Sequence, residues 1–151
     1  LRQRTPSCIA IGAAQLPGHS LRLHKKGRDG SGKCNAFYTG RPRDLVLGVI
    51  YALDRNEKPH LDQAESLGCG YNEMGLRLST GSQLYSVFTY VADADYIDDR
   101  LKPFGWYRDL VLQGAESHGL PTPYIEAIAR MEAIEDPDAV RAKRYARLLD
   151  T

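Results

Sequence analysis

"YNEMGLRLSTGSQLYSVFTYVA", residues 71–92, contains two extended segments joined by a turn. In the first segment Met74, Leu76 and Leu78 alternate with polar residues or glycine, which is the two-residue period of a half-buried strand. Thr80-Gly81-Ser82 supplies a turn, and a run rich in aromatic and β-branched residues follows it. The stretch therefore predicts two neighbouring β-strands.

Four more strands are predicted on the N-terminal side of this pair. The run "DLVLGVIYAL" is almost continuously apolar, a pattern typical of a strand covered on both faces. Turn signals such as Pro17-Gly18 and Gly40-Arg41-Pro42 separate the others. Six short strands with few helices between them favour a small mixed β-barrel, because closure limits exposed sheet edges. The predicted strands are 8–16, 21–25, 34–39, 44–53, 71–79 and 83–92.

Helices are predicted at one place among the strands and through the last third of the chain. Residues 59–68 begin with a proline and end with a glycine, which indicates a short helix after the fourth strand. Three further helices are predicted over 104–119, from 122 to about 131, and from 136 onward. We expect these C-terminal helices to pack outside the barrel, so the predicted fold class is α+β.

Length and composition are those of one ordinary globular domain, residues 1–151. The chain has 151 residues, 42% of them hydrophobic, and a net charge of +1, which favours neither nucleic acid nor membrane as a partner. Its longest apolar stretch, 45–53, is far below the ~18 residues of a membrane helix, and no signal peptide is visible. Three separated cysteines, Cys8, Cys34 and Cys69, indicate neither a disulfide framework nor a zinc module. We therefore expect a cytoplasmic protein.

Positive charge is concentrated in the first third of the chain. Residues 1–43 contain nine lysines and arginines against one acid, Asp29. This pattern is typical of a solvated face balanced by later acids, and it also fits a positive rim that attracts an anionic substrate. Phe37 and Tyr38 near Lys33 leave a third interpretation open, a barrel that binds single-stranded nucleic acid. The near-neutral total charge weighs against that last interpretation.

The segment "GRDGSGK", residues 27–33, has the spacing of a phosphate-binding loop. Cys34 stands where such a loop needs a serine or threonine for magnesium. The loop also needs a helix that begins at its lysine, and the following "CNAFYTGRP" lacks any helical period. We therefore predict a hairpin or a wide loop here. The four histidines likewise lack metal-ligand spacing, so no metal site is predicted.

In "LDQAE", residues 61–65, two carboxylates share one side of the predicted helix. Asp62 and Glu65 are three residues apart, which places them on the same face. Taken alone, such carboxylates are most often solvated, just as Tyr71 and Tyr107 alone indicate core aromatics with satisfied hydroxyls. These residues acquire a functional interpretation only from a wider resemblance.

Residues 44–130 resemble the γ-glutamylcyclotransferase family of AIG2-like barrels. The resemblance rests on "GVIYALD", "HLDQAESLGCGY", "FTYVAD" and "WYRDLVLQGAESHGLPTPYIEAI", in that order and spacing. It implies that Glu65 is the catalytic residue, acting as base and then as acid, and that Tyr71 and Tyr107 bind substrate. The glycine that usually follows the glutamate is Ser66 here.

The resemblance implies an enzyme that acts on a γ-glutamyl amine or amino acid. In the family reaction the substrate's α-amine attacks its own γ-carbonyl and releases 5-oxoproline, so neither a metal nor an organic cofactor is expected. An alternative is a non-catalytic, small-molecule-binding relative with the same barrel, since fold does not fix function.

The start of the chain departs from the family pattern. Family members begin with a strand that ends in a "YGSN"-type loop, and these 151 residues contain no such sequence. The opening "LRQRTP" resembles the tail of a helix broken at Pro6. We therefore expect the sequence to be an N-terminally incomplete member of the family.

Overall fold

The computed structural model describes residues 4–149 of the chain. Within that range six strands and four α-helices form in the predicted order, so the α+β class is confirmed. Two short 3₁₀ turns, Arg55–Glu57 and Ala94–Tyr96, accompany them. The strands are β1 (Ile9–Pro17), β2 (His19–Lys26), β3 (Gly32–Tyr38), β4 (Leu45–Ala52), β5 (Tyr71–Thr80) and β6 (Gln83–Ala92). The helices are α1 (Lys58–Ala64), α2 (Gly105–Ser117), α3 (Thr122–Ala129) and α4 (Ala139–Ala146).

The helix tail predicted at the N-terminus lies partly outside the residues that the structure describes. Its first part, residues 1–3, lies outside the described residues, and residues 4–8 contain turns and no helix. The short helix predicted over 59–68 begins at Lys58 and ends at Ala64, four residues before the glycine expected to stop it.

The strands pair in twos, which corrects the predicted barrel. Hydrogen bonds join β1 with β4, β2 with β3, and β5 with β6, and over residues 4–149 no ladder connects one pair to the next. The β1–β4 and β5–β6 pairs are antiparallel. The pairing of β1 is irregular between Ala10 and Gly12, and a Cβ atom at Gly12 would overlap the side-chain oxygen of Thr80. The strands β1 and β5 thus approach each other through a side chain instead of through a ladder.

The β5–β6 hairpin has the register that its turn dictates. Tyr71 pairs with Ala92 at one end and Thr80 pairs with Gln83 at the other, without a slip. Gly81, in the two-residue turn, has a φ of 57°, a left-handed conformation that glycine adopts without steric cost. Along β5, half-buried and exposed residues alternate as predicted, so one face of the hairpin is directed away from water.

The chain divides into two compact units. The first contains Asn35–Ile97 together with the described residues up to Arg22, and the second contains Leu23–Cys34 together with the described residues from Asp98 onward. The prediction of one domain over residues 1–151 stays a prediction. In the first unit the buried apolar residues are Cys8, Ala14, Ile50 and Leu61; in the second they are Leu23, Phe104, Ala115, Leu120 and Ile128.

The second unit is built on the C-terminal helices. Gly119, with a φ of 62°, ends α2 in the left-handed conformation, and Pro121 is the N-cap of α3. The Trp106 ring of α2 stacks on Tyr145 of α4 with 4.1 Å between centroids. The indole N–H of Trp106 also donates to Asp136 at 2.8 Å. These contacts fix α4 against α2.

The "GRDGSGK" segment forms the turn between β2 and β3. No helix follows Lys33, which lies within β3, so the prediction of a hairpin is confirmed. The Lys33 ammonium donates to Asp29 Oδ2 and Ser31 Oγ, both at 2.8 Å. Asp29 Oδ1 in turn accepts from the backbone N–H of Ser31 at 3.0 Å. The loop's lysine is therefore bound within its own turn.

Candidate active site

The first unit contains an open cavity of about 690 Å³. That volume lies within the range of small-molecule sites, which are mostly apolar with a few convergent polar groups. The cavity's polar lining includes Arg55, Lys58, Glu65 and Tyr90. Its apolar walls are formed mainly by Ala14, Leu16, Val46, Val49, Ile50, Leu61, Leu76, Leu78, Val87 and Phe88.

Glu65 is placed at the cavity by the end of α1. It is the C-cap residue, and Ser66 after it has a left-handed φ of 55°. The N–H of Leu67 donates to the carbonyl of Asp62 at 2.9 Å, and the N–H of Ser66 donates to that of Gln63 at 3.1 Å. This pair of bonds is the Schellman motif that closes many helices. The chain therefore turns sharply just after the predicted catalytic residue.

The Glu65 carboxylate is partly sheltered and ion-paired. It lines the cavity, its side chain is 28% exposed, and Arg4 Nη1 lies 2.9 Å from its Oε1. The arginine partner was not predicted. The Arg4 side chain is 53% exposed, and an exposed ion pair of this kind contributes only ~0–1 kcal/mol. A ligand's cationic group can therefore compete with Arg4 for Glu65.

Four side chains next to Glu65 form a connected set, which we call the Lys58 network: Lys58, Asp62, Glu73 and Tyr90. The Lys58 ammonium lies 2.8 Å from Asp62 Oδ1 and 2.6 Å from Glu73 Oε2. The Tyr90 hydroxyl donates a short hydrogen bond to Asp62 Oδ1. The network thus ties α1 to β5 and to β6 inside the first unit.

Hydrogen bonds and charges within this network shift the pKa values of Lys58, Asp62 and Tyr90. Hydrogen bonds to Asp62 and then to Glu73 raise the pKa of Lys58. The hydrogen bonds from Lys58 and then from Tyr90 lower the pKa of Asp62. Burial, followed by the hydrogen bond to Asp62, raises the pKa of Tyr90 far above its ordinary value, and the charge of Glu65 contributes to that rise. At neutral pH Lys58 is therefore an ammonium, Asp62 is a carboxylate, and the Tyr90 phenol keeps its proton.

The two predicted substrate-binding tyrosines do not join Glu65 in the cavity lining. Tyr71 begins β5, is half-buried, and accepts a backbone hydrogen bond from Gly68 at 2.9 Å. Tyr107 belongs to the second unit, where its hydroxyl accepts from the backbone N–H of Cys34 at 3.1 Å. The Lys33 ammonium lies 4.6 Å from the Tyr107 ring centroid. Their roles as substrate-binding residues stay predictions.

Sequence reasoning missed Tyr90, a polar residue that β6 contributes to the cavity lining. A signal for its position existed, because the two-residue turn at Gly81-Ser82 fixes the register of β5 against β6. Counting back from that turn pairs Tyr90 with Glu73. The place of Arg55 and Lys58 in the cavity lining was not predicted either, since both residues precede the "LDQAE" segment that contains the predicted site.

Neither a metal centre nor a membrane-spanning helix is found in the part of the chain that the structure describes. Across residues 4–149, no group of three or more His, Cys, Asp or Glu side chains is arranged to hold a metal ion. In that part of the chain, Cys8, Cys34 and Cys69 form no disulfide bond. In the same range no helix is both long enough and apolar enough to cross a membrane.

Three solved structures share the fold of this chain at low identity. An uncharacterized protein from Homo sapiens matches with a TM-score of 0.85 and 20% identity, over 99% of this chain and 89% of that one. A protein described as γ-glutamyl cyclotransferase matches with a TM-score of 0.85 and 19% identity, over the same shares of the two chains. YkqA from Bacillus subtilis matches with a TM-score of 0.70 and 18% identity, over 83% of this chain and 46% of that one.

Sequence comparison gives the family. No curated protein sequence matches this chain. Residues 45–128, more than half of the chain, match the AIG2-like family. That range includes α1, the β5–β6 hairpin and the Glu65 turn between them. The chain therefore belongs to the AIG2-like family.

Proposed function

We propose that this protein is a γ-glutamylcyclotransferase-type enzyme that converts a γ-glutamyl amine or amino acid into 5-oxoproline and the free amine. The observation that carries the proposal is the placement of Glu65, which ends α1 in the lining of a cavity of about 690 Å³. The family and the likeness to a structure described as γ-glutamyl cyclotransferase support it. A small molecule is the partner that such a cavity suits.

In the proposed reaction one N–C bond forms and one breaks, within a single substrate. Glu65 takes a proton from the α-ammonium, and the resulting amine attacks the γ-carbonyl carbon. The bond from that carbon to the leaving nitrogen then breaks, and the leaving nitrogen receives the proton from Glu65. A second proton passes from the new ring nitrogen to the released amine. Water is neither consumed nor formed, so a largely apolar cavity suits the step.

Two effects of known size supply the acceleration. Holding the γ-glutamyl chain curled, with amine and carbonyl in contact, lowers the barrier by up to ~7–11 kcal/mol. Proton transfer by one positioned carboxylate typically contributes ~10²–10⁴-fold. Under this proposal the apolar walls from β4, β5 and β6 supply the first effect, and Glu65 supplies the second. Tyr71 and Tyr107 are retained as proposed substrate-binding residues on the family resemblance alone.

The test is the release of 5-oxoproline, measured by mass spectrometry. γ-Glutamyl-alanine, glutathione and a γ-glutamyl-alkylamine are incubated with the wild-type protein and with Glu65→Gln. We expect release by the wild type from at least one substrate, and a loss of about 10²–10⁴-fold in kcat for the variant.

Glu126→Gln is the matched control, because Glu126 is also paired with an exposed arginine. The Arg130 Nη2 atom lies 2.7 Å from Glu126 Oε2. The Glu126→Gln variant should retain full activity, and circular dichroism should show that both variants are folded. Release by Glu65→Gln at the wild-type rate would remove Glu65 from its proposed role. Substrate binding by the wild type without release of 5-oxoproline from any compound would favour the non-catalytic relative instead.

A further inference from the structure

Tyr90 is one of the polar side chains in the cavity lining that have no role in the proposed reaction. It projects from β6 into the lining that also contains Glu65. It is not needed to neutralise Asp62, since the Lys58 ammonium already donates to both oxygens of that carboxylate, at 2.8 and 2.9 Å. Neutralising Asp62 therefore does not explain why a hydroxyl is present at this position.

The hydrogen bond to Asp62 fixes what the phenol can offer to a ligand. A tyrosine hydroxyl has one proton, and an ionised carboxylate only accepts hydrogen bonds. The Tyr90 proton is therefore committed to Asp62. The lone pairs of the phenol oxygen remain, so a ligand group that binds to it must donate a hydrogen bond.

Glu65 presents the same kind of surface close by. Asp62 and Glu65 are three residues apart at the end of α1, so they lie on one side of the helix. The charge of Glu65 also contributes to the raised pKa of Tyr90. A carboxylate, Glu65, and a tyrosine whose hydroxyl proton is bonded to Asp62 thus line the same cavity. A ligand with several N–H donors and a positive charge is complementary to both.

We propose that Tyr90 is a further substrate-binding residue, whose phenol oxygen, held by Asp62, accepts a hydrogen bond from the substrate's α-ammonium beside Glu65. This inference rests on the proposed function. An ammonium has three N–H donors, so it bonds to Glu65 and to Tyr90 at the same time. After the proton moves to Glu65, the bond to Tyr90 still holds the amine in place for attack.

Two ligands of the same skeleton test the inference. γ-Glutamyl-alanine has the α-ammonium, and glutaryl-alanine lacks it while keeping the amide and the terminal carboxylate. KM and kcat are measured for the first, and the inhibition constant is measured for the second. The variants are Tyr90→Phe, which removes only the hydroxyl, and Tyr85→Phe as the control on the same strand, outside the cavity lining.

We expect Tyr90→Phe to raise the KM for γ-glutamyl-alanine about 10- to 100-fold, the value of a hydrogen bond to a charged group. The inhibition constant of glutaryl-alanine should stay within about twofold, a selectivity that a merely structural anchor would not produce. Tyr85→Phe should change neither constant. Equal changes for both ligands, or none, would overturn the assignment.

The same ligands separate failure of this inference from failure of the proposed function. If the wild type releases no 5-oxoproline, the proposed reaction is wrong, and calorimetric dissociation constants replace KM. A Tyr90-dependent preference for the amine-bearing ligand would then still support the ammonium site. Turnover without that preference would reject Tyr90 and leave the proposed reaction standing.

Discussion

Ser66 occupies a backbone position that favours glycine, and replacing it should reveal the strain. Its φ of 55° places it at the residue after the C-cap of α1, where the Schellman motif requires the left-handed conformation. We compare Ser66→Gly with Ser66→Ala, because both variants lack the hydroxyl and differ only in the Cβ atom. Any contact of the serine hydroxyl therefore cancels in the comparison.

The size of the effect follows from two opposing terms. A residue with a Cβ atom loses ~1–2 kcal/mol in the left-handed conformation. Glycine lowers the free energy of unfolding by ~0.4–1 kcal/mol, because it gives the unfolded chain more conformational freedom. Ser66→Gly should therefore be more stable than Ser66→Ala by about 1 kcal/mol, the difference between these terms. For a chain of this length that corresponds to a melting temperature about 2–4 °C higher.

Urea unfolding and calorimetry measure the difference, and a second serine gives the control. Ser117 is the last residue of α2, in ordinary helical geometry, and there the glycine variant should be less stable than the alanine variant by up to ~1 kcal/mol. The sign of the difference should thus reverse between the two sites. A glycine variant at position 66 that is less stable than its alanine counterpart would refute the strain argument.

Two further predictions concern the second unit. The Arg141 guanidinium holds the pKa of Asp136 well below its usual range, so the ion pair should stabilise the fold above pH ~4, and its contribution should be lost as the pH falls further. In urea unfolding between pH 2 and 7, Asp136→Asn should therefore be less stable than the wild type at neutral pH, with a gap that narrows in acid; a constant gap would contradict the assignment. A methyl group at Gly32 would overlap the backbone carbonyl of Leu23, so Gly32→Ala should cost about 1–3 kcal/mol of unfolding free energy. Gly114→Ala, in open space on α2, should instead gain up to ~1 kcal/mol, and equal effects at the two glycines would show that the overlap is relieved elsewhere.

The elements could be predicted from the sequence because local patterns determine them. Met74, Leu76 and Leu78 alternate with their neighbours, and all three are half-buried in β5. Gly119 ends α2 for the steric reason that makes glycine common after helices. Such features depend on a few adjacent residues, so their signal lies in a short window of sequence.

The pairing of strands could not be predicted in the same way. The strand β1 pairs with β4 and not with its neighbour β2, and its register shifts between Ala10 and Gly12. Both facts depend on residues far apart in the sequence, since the partner of Ile9 is Ala52. A strand's period shows which face is buried but not which strand lies beside it, which is why six correct strands led to an incorrect barrel.

The same limit applies to the candidate site. The family resemblance brought Glu65 forward, and its place in the cavity lining agrees with that choice. Its ion-pair partner, Arg4, lies 61 residues away in the chain. The guanidinium of Arg4 stands at the end of a long side chain that has many rotamers. No local pattern indicates such a contact. The candidate residue could thus be named from the family resemblance, whereas the charge beside it could not.

One sequence signal does connect the helix to the chemistry of the cavity. Lys58, Leu61, Asp62 and Glu65 follow the i, i+3, i+4, i+7 spacing that usually marks the apolar face of a helix turned toward a core. Leu61 is buried as that pattern requires, while the other three positions are charged. Charged groups on an inward face need partners, because burying an unpaired charge is costly. Here Lys58 and Asp62 partner each other, and Tyr90 completes the set. Glu65, at the end of the stripe, relies on an exposed arginine that a ligand can replace. Under the proposed function, this polar stripe on the inward face of a short helix marks the side of α1 that a substrate would contact.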